Sequence, residues 1–121
     1  MDHGQVLVVD DDPHICDALA AALELAGFRV ATACNGIEAL RAIQRERPSL
    51  VLLDIHMPLL DGPGLARMLA ELGIQLPIVV MTTDPWPEIY AREMGASAFI
   101  PKPFAITQLL SQVHMSLERA S

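Results

Sequence analysis

The chain is poor in several residue types, and each shortage excludes a class of protein. Only eight Lys and Arg residues stand against 15 Asp and Glu, which leaves a formal net charge of −7. Such a surface repels phosphate backbones and anionic lipid, so direct binding of nucleic acid or of a membrane surface is not expected. Charged residues, Gly or Pro interrupt the apolar stretches every few residues, and no basic segment precedes an apolar run near the start. We therefore expect neither a membrane-spanning segment nor an export signal.

Cysteine is also scarce. A core built from 121 residues, of which 52% are hydrophobic, does not need a disulfide between the two cysteines, Cys16 and Cys34. We expect both to be reduced thiols, which indicates a cytoplasmic protein. The length fits one folded domain over residues 1–121 and leaves no room for a second, output domain.

Apolar runs and helical patterns alternate along the chain. The apolar runs predict five strands, at residues 6–9, 29–33, 50–53, 78–81 and 98–100, of which the second is the weakest. Helical patterns begin after Asp12 and Asn35, which suit N-caps, and occupy residues 64–72, 87–94 and 106–119 later in the chain. Strict alternation of strand and helix predicts an α/β fold, with a parallel sheet covered by helices on both faces.

One residue bears on the order of the strands. Pro101 follows the fifth run directly and cannot donate to a ladder, which places this strand at an edge of the sheet. That agrees with the order 2-1-3-4-5 known for flavodoxin-like, doubly wound (βα)5 folds. In this order strands 1 and 3 are neighbours, and all strands end on the same side of the sheet.

Polar residues follow the strands that this order brings together. They are three aspartates after strand 1, one after strand 3, two threonines after strand 4 and a lysine after strand 5: Asp10, Asp11, Asp12, Asp54, Thr82, Thr83 and Lys102. Strand 2, which lies outside the centre, ends in Ala33 and Cys34. The reactive side chains are therefore expected to converge on one crevice at the carboxyl ends of the strands.

Several carboxylates in one crevice repel one another unless a cation intervenes. Mg²⁺ (or Mn²⁺) suits them, because it prefers oxygen ligands and retains several of its waters. We expect Asp11 and Asp54 to bind the metal directly, Asp10 to bind it through water, and the backbone carbonyl of His56 to be a further ligand. The alternative is helix capping alone, which fits Asp12 best because of its place at a helix start.

Lys102 is the only lysine of the chain, and it follows a buried strand instead of lying on an exposed helix face. Its ammonium group would neutralise one phosphoryl oxygen, and the hydroxyl of Thr82 would serve another. Asp54 then becomes the nucleophile that takes up a phosphoryl group. The alternative is a structural Lys–Asp pair that binds no ligand.

Four separated segments carry a resemblance to a known family. VLVVDDDP, LLDIHMPLLDG, PIVVMTT and AFIPKPF resemble, in order and spacing, the signature segments of bacterial two-component response regulator receiver domains. The resemblance extends from residue 6 to the last helix. It implies a phosphoacceptor switch, in which a histidine kinase or a phosphotransfer protein phosphorylates Asp54 in a Mg²⁺-dependent reaction. Such a domain assists its own phosphorylation and dephosphorylation but is not an enzyme.

The resemblance also assigns roles to single positions. It makes Asp10 and Asp11 the acidic pair, Thr82 and Phe99 the switch residues, and Pro103 a proline that follows a cis peptide bond. Phosphorylation would draw Thr82 inward and turn Phe99 into the vacated space, which changes partner binding at the face of helix 4, strand 5 and helix 5. The partner would be a downstream effector, an output domain absent from this chain, or a second copy in a homodimer.

Two rival functions fit parts of the sequence. A phosphohydrolase of the haloacid dehalogenase type would use Asp10 of the pair Asp10 and Asp12 as nucleophile, but such enzymes place metal-binding acids after the lysine. Beyond Lys102 this chain has only Glu118. A receiver-like interaction module that is never phosphorylated is the other rival, and the presence of every position needed for phosphorylation disfavours it. Trp86 is expected to pack on its own loop more readily than to anchor a partner.

Overall fold

The computed structural model of the chain describes residues 4–55, 57, 59–84 and 87–120, without the side chains of residues 87, 90 and 91. The predictions for the His56 carbonyl and for Trp86 lie outside these residues. Strands and helices alternate as predicted. Their bounds are β1 Gln5–Val9, α1 Pro13–Leu25, β2 Arg29–Ala33, α2 Gly36–Arg45, β3 Leu50–Asp54, α3 Gly62–Glu71, β4 Ile78–Thr82, α4 Pro87–Met94, β5 Ala98–Pro101 and α5 Ile106–Ala120. No helix within the described ranges is long and apolar enough to cross a bilayer.

The strands form one parallel sheet in the order β2-β1-β3-β4-β5, which confirms the predicted topology. β3 and β4 each run one residue further than predicted, so that Asp54 and Thr82 are their last residues. β5 lies at an edge, as expected from Pro101, since an edge strand can turn a missing N–H towards solvent. All five strands therefore end at one rim of the sheet, with β1 beside β3.

The central strands are buried on both faces. On β3, Leu50, Val51, Leu52 and Leu53 have no exposed surface. Leu50 and Leu52 belong to a core cluster with α1 and α5, whereas Val51 and Leu53 belong to a second cluster with α2 and α3. Each such side chain contributes about 1.5–3 kcal/mol on burial, so the sheet forms a rigid base for the residues at its rim.

Side-chain caps determine where the first two helices begin. The Asp12 carboxylate accepts a hydrogen bond from the His14 backbone amide at 2.9 Å, at the start of α1. The Asn35 side chain accepts one from the Glu38 amide at 2.8 Å, at the start of α2. Both caps were predicted, because these residue types satisfy amides that the first helical turn leaves unpaired.

The prediction for the third helix was wrong at its start. The helix was expected to begin at residue 64, but α3 begins at Gly62. Asp61 is the reason, because its carboxylate accepts a hydrogen bond from the Gly64 amide at 2.9 Å and so caps the helix. Pro63 fits the first turn, where an amide would have no partner inside the helix.

Candidate functional site

Three carboxylates meet at the rim of the sheet, where β1 and β3 end. Asp10, Asp11 and Asp54 each place an oxygen within 4.8 Å of the other two. Asp10 is buried, Asp54 is half-buried and Asp11 is exposed, so the cluster is open to solvent on one side. Asp12 is not part of this cluster, because its carboxylate caps α1. The structure thus separates the three consecutive aspartates into two roles.

Both oxygens of Asp10 already accept hydrogen bonds from the protein. Its Oδ1 accepts from the Asp12 backbone amide at 2.9 Å, and its Oδ2 accepts from Nζ of Lys102 at 2.9 Å. Only 1% of Asp10 is exposed, so these bonds compensate for its loss of water. Asp10 is therefore held in place by its neighbours, and it is less available than Asp11 or Asp54 as a direct metal ligand.

Lys102 faces the carboxylates. Its Nζ lies 2.9 Å from Oδ2 of Asp10 and 3.6 Å from Oδ1 of Asp54, and its side chain is 17% exposed. Burial lowers the pKa of Lys102, but the hydrogen bond to Asp10 and the charge of Asp54 raise it by more, so its pKa lies above the usual value. Lys102 is therefore a permanent cation beside the cluster.

Asp54 is the carboxylate of the cluster whose ionised form is disfavoured by its surroundings. Burial raises the pKa of Asp54 above its usual value; Lys102 opposes this shift, while Asp10 and Asp11 add to it. An ionised Asp54 is therefore less stable here than in water, even with a lysine beside it. A bound cation would therefore stabilise the ionised form of Asp54.

The cluster suits a hard divalent cation. The donors are carboxylate oxygens of three aspartates, and Lys102 lies beside two of them, Asp10 and Asp54. Mg²⁺ takes oxygen ligands and keeps waters in its remaining positions, so a partly exposed cluster is a suitable place for it. The raised pKa of Asp54 points the same way, because burial, with a smaller contribution from Asp10 and Asp11, disfavours the ionised carboxylate, which a cation would stabilise.

Thr82 lies at the end of β4, one position beyond the residue paired with Asp54, and it is almost fully buried. Its Oγ1 accepts a hydrogen bond from the Asp84 backbone amide at 2.9 Å. Thr82 is also joined to β5, because its carbonyl accepts a bond from the Lys102 amide at 2.7 Å. The neighbouring Thr83 is exposed. Thr82 therefore connects the end of β4 to the backbone of the lysine.

The remaining predicted positions are on β5 and just after it. Phe99 is half-buried and packs against the core cluster that contains Val80, its partner in the register of β4 and β5. The peptide bond between Lys102 and Pro103 is cis, which is the isomer that the resemblance implies. Phe99 thus lies beside β4, the strand that ends in Thr82.

Cys16, which was expected from the sequence only to be a reduced thiol, contacts the backbone of the site. Cys16 is buried on α1, and its Sγ donates to the backbone carbonyl of Asp10 at 3.3 Å. Burial, followed by the charge of Asp10, raises the pKa of Cys16 to about 11. Cys34 is exposed, and its thiol donates to the Glu38 carboxylate at 2.9 Å. Both cysteines are free, as predicted.

A five-stranded doubly wound fold with an acidic cluster and a lysine at its rim is the architecture of a receiver domain. Residues 6–114 match the response regulator receiver domain family, and the chain belongs to this family. The domain is accordingly a phosphoacceptor signalling domain of the two-component class.

Two response regulators of mycobacteria are among the relatives that the chain resembles in sequence. It is 40% identical over 119 residues to the response regulator MprA of Mycobacterium sp. strain KMS, which covers 97% of this chain and 52% of MprA. It is 38% identical over 117 residues to the transcriptional regulatory protein PrrA of Mycobacterium tuberculosis, which covers 95% of this chain and 50% of PrrA. The chain thus spans about half the length of these relatives.

A solved structure supports the same assignment. The receiver domain of NtrX from Brucella abortus superposes with a TM-score of 0.86 at 35% sequence identity, over 93% of this chain and 98% of that one. The match therefore extends across nearly all of both chains.

Proposed function

We propose that Asp54 is the phosphoacceptor of this receiver domain. One observation carries the proposal: among the described residues, Asp54 shares a cluster within 4.8 Å with two other carboxylates and lies 3.6 Å from the ammonium group of Lys102. Asp10 is buried and both its oxygens are engaged by protein donors, whereas Asp54 is only half-buried. Of these two carboxylates, Asp54 is the one that an incoming phosphoryl group can reach.

The chemistry is the transfer of a phosphoryl group between a nitrogen and an oxygen. A carboxylate oxygen of Asp54 attacks phosphorus, the bond to the donor's phosphohistidine nitrogen breaks, and an acyl phosphate forms on Asp54. Lys102 is already fixed beside Asp54 and would neutralise a phosphoryl oxygen. The Thr82 hydroxyl would donate to another oxygen once it leaves its present position at the Asp84 amide.

Asp11 and Asp54 would hold Mg²⁺ or Mn²⁺ directly, Asp10 would do so through water, and the His56 carbonyl would complete the protein ligands. The bound ion would supply positive charge for the phosphoryl oxygens. Asp10 has a second task in this arrangement, because it orients Lys102 through the 2.9 Å bond to Nζ. The domain would in this way assist its own phosphorylation and dephosphorylation.

The response to phosphorylation would pass through Thr82 and Phe99. Inward movement of Thr82 would break its bond with the Asp84 amide, just before α4, and would leave space beside β5. Phe99 is half-buried on β5 and would turn into that space. The face formed by α4, β5 and α5 would then change its affinity for a partner.

The phosphoryl donor would be a sensor histidine kinase or a phosphotransfer protein. The receiver would be one domain over residues 1–121. It would act on a downstream protein effector or on an output domain absent from this chain, and homodimerisation on phosphorylation would be one form of output. Direct binding of nucleic acid by this domain is not expected at a net charge of −7. A cytoplasmic location stays a prediction.

Intact-mass measurement after incubation with Mg²⁺ and acetyl phosphate tests the proposal. The wild-type chain should gain the mass of one phosphoryl group, Asp54→Asn should gain none, and Asp17→Asn should behave as wild type, because Asp17 is exposed on α1 outside the cluster. Loss of the gain in Asp10→Asn together with its survival in Asp54→Asn would point instead to the phosphohydrolase-like use of Asp10. No gain in the wild type would favour an interaction module that is never phosphorylated.

A further inference from the structure

The start of α2 touches the segment between Asp54 and α3 without any side chain between them. A Cβ atom placed on Gly36 would overlap the carbonyl oxygen of Leu60, and it would lie 2.9 Å from both the carbonyl carbon and the Cβ of Leu60. Backbone atoms cannot swing aside as the end of a flexible side chain can. Gly36 is therefore the residue that permits this contact.

Gly36 belongs to a rigid part of the chain. The Asn35 side chain, which is 9% exposed, accepts from the Glu38 amide at 2.8 Å, and the Glu38 carboxylate accepts from the Cys34 amide at 3.3 Å. These reciprocal bonds fix the first turn of α2. The first turn of α2 thus gives Leu60 a rigid surface to pack against.

The segment that packs against this turn has an uncommon backbone conformation. Leu59 has a φ of 51° and Leu60 a φ of 72°, in the left-handed region that branched apolar side chains rarely adopt. Two consecutive residues of this kind persist only where the surrounding structure holds them. The contact with Gly36 is one element that holds Leu60.

The other end of the segment leads back to the phosphoacceptor. The Gly62 amide donates to the Ile55 carbonyl at 3.0 Å, which closes the loop between β3 and α3. A Cβ placed on Gly62 would lie 3.3 Å from the backbone oxygen of Asp54 and 3.2 Å from Cα of Ile55. The start of α3 thus rests directly on the backbone of Asp54, two residues after Leu60.

We propose that Gly36 is a positioning residue for the phosphoacceptor. By leaving room for the Leu60 carbonyl, it fixes the left-handed pair Leu59 and Leu60, and through Gly62 it fixes the backbone of Asp54 in the geometry that binds a divalent cation. The inference rests on the proposed role of Asp54. It extends the site to α2, a helix that contributes no residue to the acidic cluster.

Gly36→Ala tests this role, with Gly73→Ala as a matched control. Gly73 has a φ of 70° and nothing within 4 Å of an added Cβ, so alanine there strains the backbone far from the site. In Gly36→Ala we expect Mg²⁺ affinity, measured by calorimetric titration, to fall about tenfold, as for other residues that orient metal ligands. Amide exchange at Gly62 should become faster. Gly73→Ala should lower the unfolding midpoint and leave both readouts at their wild-type values.

A second variant decides the matter if Gly36→Ala does not fold. Gly62→Ala adds a Cβ that lies 3.2 Å from Cα of Ile55 and 3.3 Å from the backbone oxygen of Asp54, a tight contact without the overlap that Gly36→Ala creates. Because this contact displaces the backbone of Asp54 directly, we expect Mg²⁺ affinity to fall in a chain that still folds. A glycine of purely structural importance would give wild-type Mg²⁺ affinity in both variants, and that result would overturn the inference.

The inference and the proposed function can fail separately. Failure of wild-type Asp54 to accept a phosphoryl group would refute the phosphoacceptor role, whereas the Mg²⁺ titration and the Gly62 exchange need no phosphorylation. Wild-type phosphorylation together with unchanged Mg²⁺ affinity in Gly36→Ala and Gly62→Ala would refute the positioning role alone.

Discussion

Replacement of Asp54 with asparagine should stabilise the metal-free protein, because the ionised carboxylate is unfavourable where it lies. At an effective dielectric constant of about 20, two carboxylate oxygens within 4.8 Å of each other repel by at least about 3.5 kcal/mol, and Lys102 at 3.6 Å attracts Asp54 by about 4.6 kcal/mol. The repulsion by Asp10 and the attraction by Lys102 thus largely cancel. The loss of water around Asp54 and the screened repulsion by the exposed Asp11 remain.

We therefore expect Asp54→Asn to raise the free energy of unfolding by about 1–2 kcal/mol at neutral pH, an order of magnitude set by these partly cancelling charge and desolvation effects. The effect should depend on pH. Because the pKa of Asp54 is raised above 3.8 by folding, ionisation favours the unfolded chain at pH values above the folded-state pKa. Below 3.8 the carboxyl is neutral in both states, and the difference between wild type and variant should vanish.

Mg²⁺ should reverse the ranking. An ion at 100 times its dissociation constant stabilises the folded state by about 2.7 kcal/mol, and the variant lacks the ligand that would bind it. Urea unfolding measures the stabilisation without metal, its loss in acid and its reversal by Mg²⁺. The three conditions are a chelator at neutral pH, a chelator in acid, and Mg²⁺, and Asp17→Asn is the control. A metal-free variant less stable than wild type at neutral pH would show that attraction to Lys102 outweighs the other effects, and would refute this reasoning.

Three further predictions concern single residues. Lys102→Ala leaves a buried Asp10 oxygen without its partner and should lower the free energy of unfolding by about 3 kcal/mol in urea melts. Some Mg²⁺ binding should survive in this variant, but the amide shifts that phosphorylation causes in α4, β5 and α5 should be lost. Asp11→Asn should weaken Mg²⁺ binding about tenfold in calorimetric titration; an unchanged titration would remove Asp11 from the direct ligands. Leu52→Ala should lower the free energy of unfolding by about 2–5 kcal/mol, because Leu52 has no exposed surface, with Mg²⁺ affinity unchanged in the folded protein.

The chain order of the elements could be predicted from local patterns, and the reason is periodicity. Runs such as residues 50–53 are apolar without interruption, which suits a strand buried on both faces, and Asp12 and Asn35 are residue types that cap helices. The third helix shows the limit of such patterns. Asp61 followed by glycine suits a turn as well as a cap, and only the helix that forms after it decides between the two.

The sequence by itself determined which chemistry is available: four aspartates, two threonines and a lone lysine that follow apolar runs in an alternating α/β chain. Only the tertiary structure decided how they share the work. It joined Lys102 to a buried oxygen of Asp10, brought Asp11 and Asp54 into one cluster, and placed Gly36 against Leu60. These assignments depend on contacts between segments far apart in the chain, such as the 2.9 Å bond between Lys102 and Asp10. Local residue patterns carry no information about such distances, because they arise only when the strands assemble into one sheet.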